Sequence, residues 1–183
     1  IYDYTNGRDN FMLTNSPYHA DSSTYSIVLS KNWDNGLDMS LGYAYSDAED
    51  IVPMTSAVAG SNWDNVALND VNDPKPATTN YLVPHRITLR ASFGTEFFSD
   101  LETRFTLMGY NSQGQPQSYV MGSNDLEGDG FFGRHLLYVP EAGDPNVVFA
   151  PGFDQNAFAQ FVAQEGLEPG FTARNGQHAK WTT

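Results

Sequence analysis

Residues 24–45 read TYSIVLSKNWDNGLDMSLGYAY, and the parity of their side chains decides the fold. Tyr25, Ile27, Leu29 and Trp33 fall on one parity, Thr24, Ser26, Ser30 and Asn32 on the other. A strand turns successive side chains to opposite faces, so this period of two predicts a strand with one apolar face. Asp34, Asn35 and Gly36 then interrupt the pattern, and Asn and Gly tolerate the positive φ that tight hairpins demand. After the turn Leu37, Met39, Leu41, Tyr43 and Tyr45 alternate with Asp38, Ser40, Gly42 and Ala44. The stretch is a hairpin.

The same alternation returns twice. In HRITLRASF (residues 85–93) Ile87, Leu89, Ala91 and Phe93 oppose Arg86, Thr88, Arg90 and Ser92; in LETRFTLMGY (residues 101–110) Leu101, Phe105 and Leu107 oppose Glu102, Arg104 and Thr106. The predicted strands run over about residues 23–33, 37–46, 84–94 and 101–111, with residues 94–100 as a short connection. The expected class is all-β, an antiparallel meander of long strands.

Two architectures produce such a meander. One is a soluble extracellular β-sandwich, a binding or adhesion module whose apolar parities meet in a dry core. The other is part of a transmembrane β-barrel, and four features favour it. Segments of about ten residues match a tilted strand crossing a bilayer. Connections alternate between short turns and long loops (about residues 1–21, 47–83 and 112–183), as in outer-membrane barrels. Aromatic residues Trp33, Tyr43, Tyr45, Phe93, Phe97 and Phe98 gather near segment ends, where a girdle at the lipid headgroups would sit. Arg86, Arg90, Glu102 and Arg104 all occupy the polar parity, which a wet lumen accepts. Four strands cannot close a barrel, so the chain is expected to form one wall of a larger one.

Composition agrees with an envelope location without fixing it. The 183 residues begin with Ile1 and carry no charged-then-apolar leader, which reads as a piece cut from a longer protein. Nine Lys and Arg against 22 Asp and Glu give a formal charge of -13, which disfavours a phosphate-backbone partner, so no nucleic acid is expected. Cysteine is absent, which excludes a disulfide framework and thiolate metal sites. Mean hydropathy is -0.44, and no window approaches the roughly 18 apolar residues of a membrane helix.

Five segments in order carry a family resemblance: DNGLDMSLGYAYSDAED (34–50), NYLVPHRITLRASF (80–93), NSQGQPQSY (111–119), NDLEGDGFFGRHLLYVP (124–140) and RNGQHAKW (174–181). Their succession resembles the C-terminal part of the barrel in Oar-like TonB-dependent outer-membrane receptors. The resemblance implies a bacterial cell outer membrane location and a 22-stranded barrel closed around a plug domain that this sequence lacks. It further implies outer-membrane lipid, the rest of the barrel and its plug, a TonB-type energy-coupling protein and an unknown extracellular ligand as partners.

Residues 125–130, DLEGDG, match the first half of a calcium loop, with Asp125, Glu127 and Asp129 at alternating positions and Gly130 at the sharp turn. The twelfth position holds Leu136 instead of a bidentate Glu, so a full EF-hand is excluded. Arg134 and His135 also stand where the family usually has Asn-Asp. These acids are read mainly as shaping a turn, with a calcium site completed by groups elsewhere as the alternative; no other cofactor is expected. Trp63, Gln113, Gln115, Gln117 and Tyr119, with Asn62, are the candidates to face an extracellular ligand, through stacking and amide hydrogen bonds. The alternative is that they pack loop against loop. HLLYVP (135–140) reads as a short strand, and DQNAFAQFVAQEG (154–166) as a helix in the last loop, capped by Asp154 and stopped by Gly166. His19, His85, His135 and His178 never fall at metal spacing, and no hydrolase or phosphate-binding motif occurs, so no enzyme activity is expected.

Overall fold

The structure, a computed structural model, describes residues 14–98, 100–122, 133–179 and 181. Its elements in chain order are β1 (Ser22–Asn32), β2 (Leu37–Asp50), α1 (Ala59–Asp64), β3 (Ala77–Thr78), β4 (His85–Phe98), β5 (Leu101–Ser112), β6 (Pro116–Gln117), β7 (Tyr138–Val139), α2 (Gln155–Glu165), β8 (Gly170–Phe171) and β9 (Gln177–His178). They divide into two compact units. Unit 1 draws on residues 14–19, 51–77, 118–122 and 133–176; unit 2 comprises residues 20–50, 78–98, 100–117, 177–179 and 181.

Unit 2 is built on an open antiparallel sheet in the order β1–β2–β4–β5. The hairpin between β1 and β2 closes with Trp33 N donating to Leu37 O at 2.8 Å, and Gly36 sits at φ 84°, a conformation glycine adopts without a Cβ penalty. Gly36 also accepts from Gly94 N at 2.9 Å, and a Cβ added to Gly36 would lie 2.2 Å from Gly94 O. Gly36 therefore serves both the turn and a close approach of two backbones.

Two of the strands outrun their predicted bounds. β2 continues to Asp50, because Ser22 and Ser23 pair with Ala48 and Asp47, although SDAED has no apolar parity to announce a strand. β4 runs to Phe98, so residues 94–98 are strand and not the expected connection. There Gly94, Thr95 and Glu96 pair with Arg104, Thr103 and Glu102, and the register shifts between Glu96 and Phe98. Gly94 looked like turn punctuation; in fact a Cβ there would meet Glu102 Oε1 at 2.8 Å, so the glycine makes room for β5 side chains.

Unit 1 holds most of the buried apolar side chains, Val66, Leu68, Leu136 and Val139, while Leu82 lies in unit 2 just before β4. None of the four long strands contributes one. The expected long loops are thus folded. Leu68 N donates to Arg134 O at 3.1 Å, Met121 N to His135 O at 2.8 Å, Leu137 N to Tyr119 O at 2.9 Å and Thr172 N to Leu137 O at 2.8 Å. These bonds lay short pieces of chain side by side, and β7 pairs with β8. HLLYVP accordingly contributes bridges at His135 and Leu136 and then β7.

Helix α2 forms as its end signals predict. Asp154 Oδ1 accepts from Asn156 N at 3.0 Å and Ala157 N at 2.9 Å, and Gly166 closes the helix at φ 64°. One short helix was expected, and α1 is a second. Its start has no side-chain cap, so the sequence carries no signal for it. Instead Asn62, buried within it, clasps Ser56: its Oδ1 accepts from Ser56 N at 2.8 Å and its Nδ2 donates to Ser56 O at 2.7 Å.

Candidate functional site

Register converts the four alternating strands into two continuous faces. On the odd parity, one row runs Leu29–Leu41–Leu89–Gly109, the next Ile27–Tyr43–Ile87–Asn111, and others Lys31–Met39–Ala91–Leu107 and Leu37–Phe93–Phe105, so the face is apolar apart from Lys31 and Asn111. Tyr25, Ile27, Leu29, Leu41, Ile87, Leu89, Phe105 and Leu107 are all exposed. A contiguous apolar surface on this scale marks contact with something apolar.

The opposite face is mostly polar or small, with Val28, Met108 and Tyr110 as its large exposed hydrophobic side chains. Ser30–Ser40–Arg90 and Asn32–Asp38–Ser92–Thr106 form rows across it. Arg104 Nη1 donates to Asp38 Oδ2 at 3.1 Å and its Nη2 to Glu102 Oε1 at 2.6 Å, while Ser92 Oγ lies 3.0 Å from Thr106 Oγ1. Ser92, 1% exposed, is the most deeply buried described side chain.

Aromatic residues bracket the apolar face at both ends. At one end Tyr25 stacks on Tyr45 (6.4 Å between centroids), Tyr45 lies 5.1 Å from His85, and His85 stacks on Trp181 at 5.9 Å. Tyr43 Oη shares a 2.9 Å hydrogen bond with His85 Nδ1. At the other end are Phe93, Phe105 and Phe97, whose ring meets Phe105 edge-on at 6.0 Å. Trp33 lies just past β1, Phe97 lies inside β4, and the side chain of Phe98 is outside what the structure describes. From the His85 rung to the Phe93 rung is eight residues, about 26 Å of strand at ~3.3 Å each. A tilt of about 40° reduces that to roughly 20 Å, close to the ~25 Å apolar band of an outer-membrane barrel.

The loop candidates divide between the units. In unit 2, Gln113 N donates to His85 O, the backbone carbonyl of Gln115 accepts from Ala179 N at 3.2 Å, and Gln117 in β6 pairs with Gln177. In unit 1, Tyr119 Oη donates to Glu165 Oε2 at 2.7 Å and its ring meets Phe161 edge-on at 5.2 Å. Trp63 lies beneath the buried Arg134 guanidinium, 5.3 Å from ring centroid to Cζ, and its carbonyl accepts from Arg134 Nη1 at 3.0 Å. Asp125, Glu127 and Asp129 lie outside the described residues. Among those described, no group of three or more His, Asp or Glu is placed to hold a metal ion.

Two polar clusters in unit 1 carried no motif that could announce them. Tyr18 Oη donates to Asp73 Oδ1 at 2.9 Å, and Lys75 Nζ, 2.6 Å from Asp73 Oδ2, also meets the Tyr18 oxygen. The hydrogen bonds from Lys75 and then Tyr18 hold the Asp73 carboxyl below its usual range, and Asp73 raises Lys75 in return. Similarly Tyr138 Oη donates to Asp144 Oδ2 at 2.6 Å, which lowers Asp144 and raises Tyr138. Asp144 Oδ1 accepts from Asn146 N at 2.9 Å. Tyr138 also packs against Phe171, with 5.1 Å between centroids.

No protein-family model, curated protein or solved structure matches this chain. No helix among the described residues is long and apolar enough to cross a membrane.

Proposed function

We propose that the chain forms part of the wall of a transmembrane β-barrel in the bacterial outer membrane, in a receptor of the Oar-like TonB-dependent kind. The single observation that carries this reading is the exposed, largely apolar face, built in register from four strands of 11 to 14 residues, interrupted by Lys31 and Asn111, and bracketed by aromatic residues. Lipid is the partner that such a face fits, since the alternate parity is mostly polar and carries the Arg104, Asp38 and Glu102 ion pairs. Unit 1 then belongs to the extracellular loops, the remainder of the barrel and a plug complete the receptor, and no catalysis is assigned to the chain. Energy from a TonB-type protein would act through those other parts.

Extraction of membranes from cells making the full-length protein tests this. It is expected to remain with the outer membrane in salt and alkaline carbonate and to need detergent for release. Recovery in the aqueous fraction without detergent would refute the barrel and favour the soluble sandwich.

A further inference from the structure

On the polar face of the unit 2 sheet, groups toward both ends pair with one another. Thr24 Oγ1 lies 3.2 Å from Ser46 Oγ, Ser92 Oγ lies 3.0 Å from Thr106 Oγ1, and Arg104 holds both Asp38 and Glu102. Between these ends register stacks three rows, Ser30–Ser40–Arg90–Met108, Val28–Gly42–Thr88–Tyr110 and Ser26–Ala44–Arg86–Ser112. They contain two guanidiniums and no carboxylate. Among the described residues neither Arg86 nor Arg90 forms an ion pair, although the chain carries 22 Asp and Glu. The next row holds one acid, Asp38, and Arg104 already engages it.

Arg86, Thr88 and Arg90 share the polar parity of β4 and are exposed, spaced about 7 Å of strand from one to the next. Exposed Tyr110 stands opposite Thr88 on β5, and Gly42 opposes it on β2. A Cβ on Gly42 would lie 2.6 Å from Thr88 Oγ1, so the missing side chain leaves the hydroxyl its place between the two arginines. Ser40 and Ala44, beside Arg90 and Arg86, are also small. Neither Thr88 Oγ1 nor Tyr110 Oη is hydrogen-bonded among the described residues. Two charged donors and two hydroxyls thus share one patch with small neighbours. A guanidinium presents a planar fork of N–H donors that matches carboxylate and phosphate, and the patch would repel a cation. Charge complementarity selects an anion, and the roughly 13 Å of strand between Arg86 and Arg90 asks for more than one acidic group.

We infer that this patch binds an elongated solute carrying two or more anionic groups, carboxylate or phosphate. One group meets each arginine, and the Thr88 and Tyr110 hydroxyls donate to the solute between them. The polar parity lines the lumen in a barrel and meets solvent in a sandwich, so the patch is available in either architecture and the inference does not rest on the reading proposed above.

Purified full-length protein in neutral detergent is titrated calorimetrically with tripolyphosphate, tri-glutamate, tri-glutamine and tri-lysine. At least one of the two anions is expected to bind, and to weaken as salt rises; the tighter of the two tells phosphate from carboxylate. Tri-glutamine and tri-lysine are expected to bind at least tenfold more weakly than that anion. The double variant Arg86→Gln, Arg90→Gln changes two exposed side chains, so it is expected to keep its thermal unfolding midpoint while losing at least tenfold in affinity for the anion. Lys31→Gln removes the same charge from the opposite face and is expected to change affinity less than twofold. No binding of either anion, undiminished affinity in the double variant, or an equal loss in Lys31→Gln would overturn the inference. Because binding is read on solubilised protein, its failure is distinct from failure of the membrane extraction.

Discussion

Leu107 and Met108 are adjacent in β5, and 67% and 72% exposed, so water alone would treat them alike. The pleat sends them to opposite faces: Leu107 stands opposite Ala91 in the apolar rows, and Met108 stands opposite Arg90 in the polar ones. If the apolar face meets lipid, Leu107→Lys places an ammonium inside the hydrocarbon band. The Ala91 rung is two residues, about 7 Å of strand, from the Phe93 rung and six, about 20 Å, from that of His85. Lysine costs about 2–4 kcal/mol at the midplane of an outer-membrane barrel and about 0–1 kcal/mol at its edges, so about 2 kcal/mol is expected at this intermediate depth. Met108→Lys faces the polar side and adds only cross-strand repulsion with Arg90, under about 1 kcal/mol. In a soluble protein each exposed change should stay within about 0.5 kcal/mol. Denaturant unfolding of the full-length protein from phospholipid vesicles measures both. Equal costs, or a larger one for Met108→Lys, would refute the lipid-facing assignment.

Gly36→Ala is expected to lose more than about 1 kcal/mol in the same assay, because it combines a positive φ with a Cβ placed against the Gly94 carbonyl. Asp154→Ala removes the acceptor at the start of α2, so about 1 kcal/mol of helix stability is expected to go, with faster amide exchange at Asn156 and Ala157. The Tyr138–Asp144 contact has a pH window. Asp144 is depressed, so its contribution is present above the usual carboxylate range and disappears as pH falls through its lowered pKa; Tyr138 is raised, so its contribution is present below the usual phenol range and disappears as pH rises through its elevated pKa. A Tyr138 ring resonance whose acid-side shift comes below the usual carboxylate range and whose base-side shift comes above the usual phenol range agrees with this, and one that titrates at the ordinary values refutes it.

The sheet was legible because its signal is strictly local. Parity along residues 24–45 fixes which side chains share a face, and the Asp34–Gly36 turn fixes which strand comes next. Beyond the apolar parity the signal stopped. In SDAED both faces are polar, and in GTEFF a glycine resembles a turn, so the last turns of β2 and β4 could be seen only through their partners. Helix α2 announces itself through Asp154 and Gly166, whereas α1 is held by Asn62 reaching back to Ser56, a contact no periodicity encodes. Asn62 and Tyr119 carry amide and aromatic chemistry suited to ligands, and the structure engages the Asn62 amide with Ser56 and the Tyr119 hydroxyl with Glu165, contacts that no local pattern encodes. The buried cluster of unit 1 joins Leu68 to residues near 135, a separation at which single-sequence patterning carries no information.

The open order β1–β2–β4–β5 constrains how such a wall could be assembled. Each outer strand turns alternate N–H and C=O groups outward, about ten groups along the 11 residues of β1. In water those groups are satisfied by solvent, but in hydrocarbon each unpaired one costs several kcal/mol. A sheet entering lipid with two bare margins would carry that penalty along both β1 and β5. If the sheet is barrel wall, neighbouring strands would have to join β1 and β5 before or during insertion, and lateral hydrogen bonding would then gate entry into the membrane.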